Sequence, residues 1–120
     1  MSARKIVESL YKSDAIINSK LLETLLHEDA SIEWHSSKGL VLMNRTEMIA
    51  LSDELSKAYP SSRIEIGHIV AENKKVAVRY SQYVSTIENP NEEMLLAHFM
   101  VVWELKDEKL FRGYQMSQLS

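Results

Sequence analysis

At Pro60 the spacing of apolar residues changes from a helical repeat to alternation, and the alternation persists to the end of this 120-residue chain. A segment that buries every second side chain is a strand, so the second half of the chain must form a sheet. Ile64, Ile66, His68 and Val70 share one face of a first strand, which ends at the turn Asn73-Lys74-Lys75. Val76, Val78, Tyr80, Gln82 and Val84 share a face of the next, before the turn Asn89-Pro90-Asn91. In the third, Leu95, Ala97, Phe99, Val101, Trp103 and Leu105 lie opposite Leu96, His98, Met100, Val102 and Glu104. Beyond Lys106-Asp107-Glu108-Lys109, a last strand sets Phe111, Gly113 and Gln115 against Leu110, Arg112, Tyr114 and Met116.

Upstream of Pro60 the pattern is mostly helical. Ile6, Val7, Leu10, Tyr11 and Ile17 place a helix over Lys5 to Ile17, with a wetted gap at Asp14. Asn18 or Ser19 caps a second over Lys20 to His27, where His27 would meet the negative end of the helix dipole. Ile32 and Trp34 alternate with polar neighbours in a strand ended by Ser36-Ser37-Lys38-Gly39, and Leu40 to Met43 pair beside it. Thr46 caps a third helix that runs to about Tyr59 and is closed by Pro60. The expected fold is α+β, a curved antiparallel sheet packed against three N-terminal helices in one domain over residues 1–120. Helices cover only one side of such a sheet. The face carrying Tyr83, His98, Met100, Val102 and Tyr114 is apolar enough to need its own cover, and a homodimer through that face is expected.

Composition narrows the function. Fourteen Lys and Arg against seventeen Asp and Glu give a net charge of -3 with no basic block, which argues against nucleic acid as a partner. The absence of cysteine removes disulfides, thiolate nucleophiles and cysteine metal sites, and fits a reducing cytoplasm. No apolar run reaches membrane-spanning length, so a soluble cytoplasmic protein is expected. No metal is expected, because neither His-x-His nor His-Glu-x-x-His occurs, and no cofactor, because three glycines form no phosphate-binding loop. A Gly-x-Ser-x-Gly elbow is also missing.

The segment HEDASIEWHSS, then NRTEMIA and the closing VVWELKDEKLFRGYQM, in this order of elements, resembles the nuclear transport factor 2-like superfamily, in particular its SnoaL-like and ketosteroid-isomerase-like branches. The resemblance spans nearly the whole chain. It implies a conical α+β barrel, usually dimeric, whose open end admits a small, often apolar molecule; activities on this fold differ widely. Carried over residue by residue, the resemblance removes the catalytic groups. Where the ketosteroid isomerases hold a carboxylate base stands Trp34, whose indole donates but cannot accept a proton. Where they hold an enolate-binding tyrosine and aspartate stand Leu10 and Val101, with Tyr11 one step off register.

Among the histidines, His35 points away from the Ile32-Trp34 face, and His98 belongs to the dimer face. His68 shares an apolar face with Ile64 and Ile66, so a satisfied buried imidazole is the default reading; as the one histidine whose parity favours the interior, it is also the best candidate for proton transfer. Trp34, Tyr59, Tyr80 and Gln82 should face the helices, together with Phe99, Trp103 and Gln115. Aromatic side chains at such positions often just fill a core. Tyr80 and Gln82 weigh toward a cavity, since a buried hydroxyl and amide left without partners would each cost about 1 to 3 kcal/mol. Three functions follow. The first is carriage of a small apolar or aromatic molecule in the cone. The second is an isomerase, dehydratase or cyclase that uses His68 with Tyr80 or Gln82, and the third is a dimeric interaction domain with a filled core.

Overall fold

The computed structural model describes residues 2–119. Helix α1 spans Ala3–Lys12 and is capped by Ser2, whose hydroxyl accepts from the Lys5 amide at 3.2 Å. It stops earlier than its apolar stripe suggests. The Ser13 hydroxyl bonds both the Leu10 carbonyl and the Ala15 amide, replacing the next helical turn, and Ala15–Ile17 continues as one tight 3-10 turn. Asn18 caps α2, Ser19–Leu25, through the Leu21 amide.

Helix α2 ends two residues before His27. Leu26 is already extended and opens β1, Leu26–Ser36, so His27 lies in a strand and meets no helix dipole. It is buried instead against Phe111, with ring centroids 4.9 Å apart in an edge-on arrangement. Strand β2 spans Gly39–Asn44, and the turn into it uses the Gly39 φ of +114°. Helix α3, Arg45–Ala58, is capped by Asn44 in place of Thr46. Asn44 Oδ1 accepts from the Glu47 backbone N–H at 2.9 Å and the Glu47 carboxylate accepts from the Asn44 backbone N–H at 3.1 Å.

Strands β3 (Ser61–Glu72), β4 (Lys75–Ser85), β5 (Met94–Lys106) and β6 (Lys109–Leu119) follow Pro60 as expected. The six strands run in the order β2-β1-β6-β5-β4-β3. The sheet is mixed where an antiparallel one was expected, because β1 pairs with β6 in parallel; its two edges, β2 and β3, do not meet, so the curved sheet is open. The helices pack on the concave side. There Val76, Val78, Val101 and Leu110 are almost completely buried among Val7, Leu10 and Tyr11.

Bulges change which side chains reach that core. Gly67 is an extra residue in β3, so pairing passes from Ile66 opposite Tyr80 to His68 opposite Arg79. The inward set becomes Ile64, Ile66 and Ile69, while His68 and Val70 turn out to solvent. In β5 the extra residue is Leu96, which puts Leu95 opposite Tyr83. In β6 it is Phe111, which buries Leu110 and leaves Phe111 on His27.

Candidate ligand-binding site

Between the sheet and the helices lies a cavity of about 420 Å³. Its deep end is walled by buried side chains, Leu10, Tyr11, Leu22, Leu26 and Trp103. At its other end stand the exposed Ser37, Lys38 and Leu119, which mark the mouth. The sheet supplies one wall in ordered rows. Ile32, Gly113, Trp103 and Val76 align across β1, β6, β5 and β4; Trp34, Gln115, Val101 and Val78 align one row nearer the mouth. Then come Ser117, Phe99 and Tyr80, and last Leu119, Ala97 and Gln82. Leu51, Ser52 and Leu55 of α3, with Tyr59 at its end, form the facing wall.

All seven residues picked out by strand and helix parity, Trp34, Tyr59, Tyr80, Gln82, Phe99, Trp103 and Gln115, line this space. His68 does not. The Gly67 bulge places it on the far side of the sheet, and among the described residues the cavity wall contains no His, Asp or Glu. Tyr11 and Ser117 were missed by the residue patterns. Tyr11 follows Leu10 on the apolar stripe of α1, and Ser117 continues the inward parity of Gly113 and Gln115; neither is distinctive without its neighbours in space.

The walls are aromatic and tightly coupled. The Tyr80 ring stacks on Phe99 at 4.7 Å and 12°, and on its other side meets Tyr11 at 4.4 Å. Trp34 lies 6.4 Å from Phe99 and donates its indole N–H to the Ser117 hydroxyl at 2.8 Å. The Trp103 N–H donates to the Tyr11 hydroxyl at 2.9 Å, and the Tyr80 hydroxyl donates to Gln115 Oε1 at 3.4 Å. Gln82 Nε2 donates to Ser62 at 3.1 Å. Burial pushes the hydroxyls of both Tyr11 and Tyr80 above their ordinary titration range, because a phenolate would have to form without water. Both are neutral donors near neutral pH.

This arrangement can hold an apolar or aromatic body and hydrogen-bond it at a few points. It offers no carboxylate or imidazole to move a proton. Among the described residues no cluster of three His, Asp or Glu is placed to hold a metal, and no helix is long and apolar enough to cross a membrane.

The chain matches the family described as SnoaL-like domain over residues 12–113. No curated protein matches it in sequence. Among solved structures it is similar to AusH from Aspergillus nidulans, with a TM-score of 0.80 and 9% identity, covering 96% of this chain and 82% of that one. It is similar to IdmH of Streptomyces antibioticus, a candidate polyketide cyclase, with a TM-score of 0.75, 15% identity and coverage of 98% and 92%. A third likeness is to an epoxide hydrolase of the LEH-like kind from M. tuberculosis, with a TM-score of 0.73, 14% identity and coverage of 96% and 81%. At these identities the likenesses establish the fold and not the chemistry.

Proposed function

Because the chain belongs to the SnoaL-like domain family, we propose that it binds a small apolar or aromatic molecule in the cone between sheet and helices, and does so without an acid or base of its own. The observation that carries this reading is the wall itself: about 420 Å³ enclosed by aromatic and aliphatic side chains, with neutral hydroxyls and amides as its interior polar groups. Small-molecule sites have this size and this mixture. A filled core, as in an interaction domain, would leave no such space. That solved structures of this fold include a candidate polyketide cyclase and an epoxide hydrolase supports a small organic molecule as the occupant.

The enzymatic alternative rested on His68. With that imidazole outside the cavity, an isomerase or cyclase here would have to obtain its base from the substrate or from water. The test is a thermal-shift series with steroids, aromatic polyketides and fatty acids, read together with the emission of Trp34 and Trp103. A ligand at a hundred times its dissociation constant adds about 2.7 kcal/mol to stability, which raises the midpoint by several degrees. No shift and no change in emission with any class would sink the proposal.

A further inference from the structure

The polar groups on the cavity wall have a direction. Trp103 Nε1 can only donate, and it donates to the Tyr11 oxygen. The Tyr11 proton then needs an acceptor, and Tyr80, its ring centroid 4.4 Å away, brings its hydroxyl into hydrogen-bonding reach. Tyr80 in turn reaches Gln115 Oε1. Run in the order Trp103, Tyr11, Tyr80, Gln115, every proton in the row finds an acceptor. Reversed at Tyr80, the row would leave the Tyr11 proton and Gln115 Oε1 both unmatched, so the satisfied order is the stable one.

This order fixes an amide. Gln115 must turn its oxygen to Tyr80 and its Nε2 the other way. Among the described residues Nε2 has no hydrogen-bond partner, yet Arg45 Nε is the one sealed polar side-chain atom without a partner. Gln115 Nε2 therefore opens onto the space that Gln115 lines. Its register neighbour on β1 is Trp34, and Phe99 is one row nearer the mouth.

We infer that Gln115 is the orienting residue of the cavity, and that its Nε2 donates to a carbonyl oxygen on an aromatic ligand whose ring lies against Trp34 and Phe99. The inference rests on the reading of the cavity as a binding site. The wall thus prefers ketones to hydrocarbons of the same shape, and the preference is set by a tryptophan three links from the ligand. An amide free to turn would accept as readily as donate and would show no such bias.

The test compares 1-tetralone with tetralin by isothermal titration on the intact protein. A hydrogen bond of ordinary net strength favours tetralone by roughly three- to tenfold. Gln115→Met keeps the length of the side chain and should abolish that preference, bringing the tetralone-to-tetralin affinity ratio to about one. Tyr80→Phe keeps Gln115 but frees its amide, and should reduce the preference. In the wild-type complex the ketone stretching band should move to lower frequency, a readout that needs no variant. Equal binding of the two probes and an unmoved band overturn the inference and leave the cavity reading intact. An unchanged preference in Tyr80→Phe overturns the orienting role of the row. If neither probe binds, this inference fails, while the cavity reading is decided separately by the thermal-shift series.

Discussion

Gly113 is exposed neither to solvent nor to choice. A Cβ built on it would lie 2.8 and 2.9 Å from Trp103 ring atoms and 3.0 Å from Ile32, so the indole occupies the place where a side chain would be. Gly113→Ala should cost about 1 to 3 kcal/mol, measured by urea denaturation, because Trp103 cannot move without breaking its bond to Tyr11. Gly67→Ala, with its nearest contact an ordinary 3.5 Å, is the control and should change stability far less. The two buried tyrosines give a pH dependence of known sign. Their folded pKa values are raised above the ordinary value of about 10, so below that pH neither state ionises and stability is unaffected. As pH rises past it, the unfolded chain loses protons that the folded chain keeps. Stability should then fall by about 1.4 kcal/mol per pH unit for each buried tyrosine, and Tyr11→Phe should make the slope of the thermal midpoint between about pH 10 and 11.5 shallower. An identical slope in the variant would show that other groups control the loss. At this scale much of the cavity was legible, because Tyr80, Gln82 and Gln115 are polar at inward parity. Tyr11 was not, since a tyrosine on a helical stripe looks like any core aromatic.

Elements were easier to place than to bound. Pro60 and the turns at Asn73, Asn89 and Asp107 punctuate the sheet where the sequence says they should, and Asn73, Asp107 and Glu108 take the left-handed backbone that tight hairpins need. The bulges are different. Gly67, Leu96 and Phe111 each add one residue to a strand, and each reverses the parity on one side of it. His68 was assigned inward by correct counting from Ile64 across a residue that the ladder skips. No local pattern marks Leu96 or Phe111 as bulged, because a bulge is a relation between two strands. Helix α3 shows a related displacement: Thr46 has cap chemistry, but Asn44 two residues earlier has the glutamate partner at the right spacing. Asn44→Ala should therefore destabilise by about 1 kcal/mol in chemical denaturation, while Thr46→Ala should do little.

At the scale of the molecule, one side of the sheet is covered and the other is not. The helices close the concave side around the cavity. On the convex side Met100 stands opposite Met116 and Val102 opposite Tyr114, with Leu42 beside Glu33 on the adjoining strands. Met116 is 63% and Leu42 66% exposed, too much adjacent apolar area for a face meant to stay wet. A second copy of the chain is the cover we propose, since a twofold axis would let the same side chains meet each other. Sedimentation equilibrium should give twice the 13.8 kDa chain mass, and Met100→Glu with Met116→Glu should return it to a single chain. A wild-type monomer at all concentrations would remove the proposal. Because the cavity opens on the opposite side of the sheet from this face, such a monomer should still bind ligand.

The chain by itself determined its class: the change of period at Pro60 separates helices from sheet, and alternation is a covalent property of an extended backbone that needs no partner to be read. It also determined that Trp34, Tyr80, Gln82 and Gln115 share a face with the core. Only the tertiary structure decided that this face encloses space, that His68 lies outside it, and that β1 joins β6 in parallel. Those outcomes depend on which strands pair and where a residue is skipped. They are fixed by contacts between segments up to 92 residues apart, such as Trp103 and Tyr11, whose energies no local pattern contains.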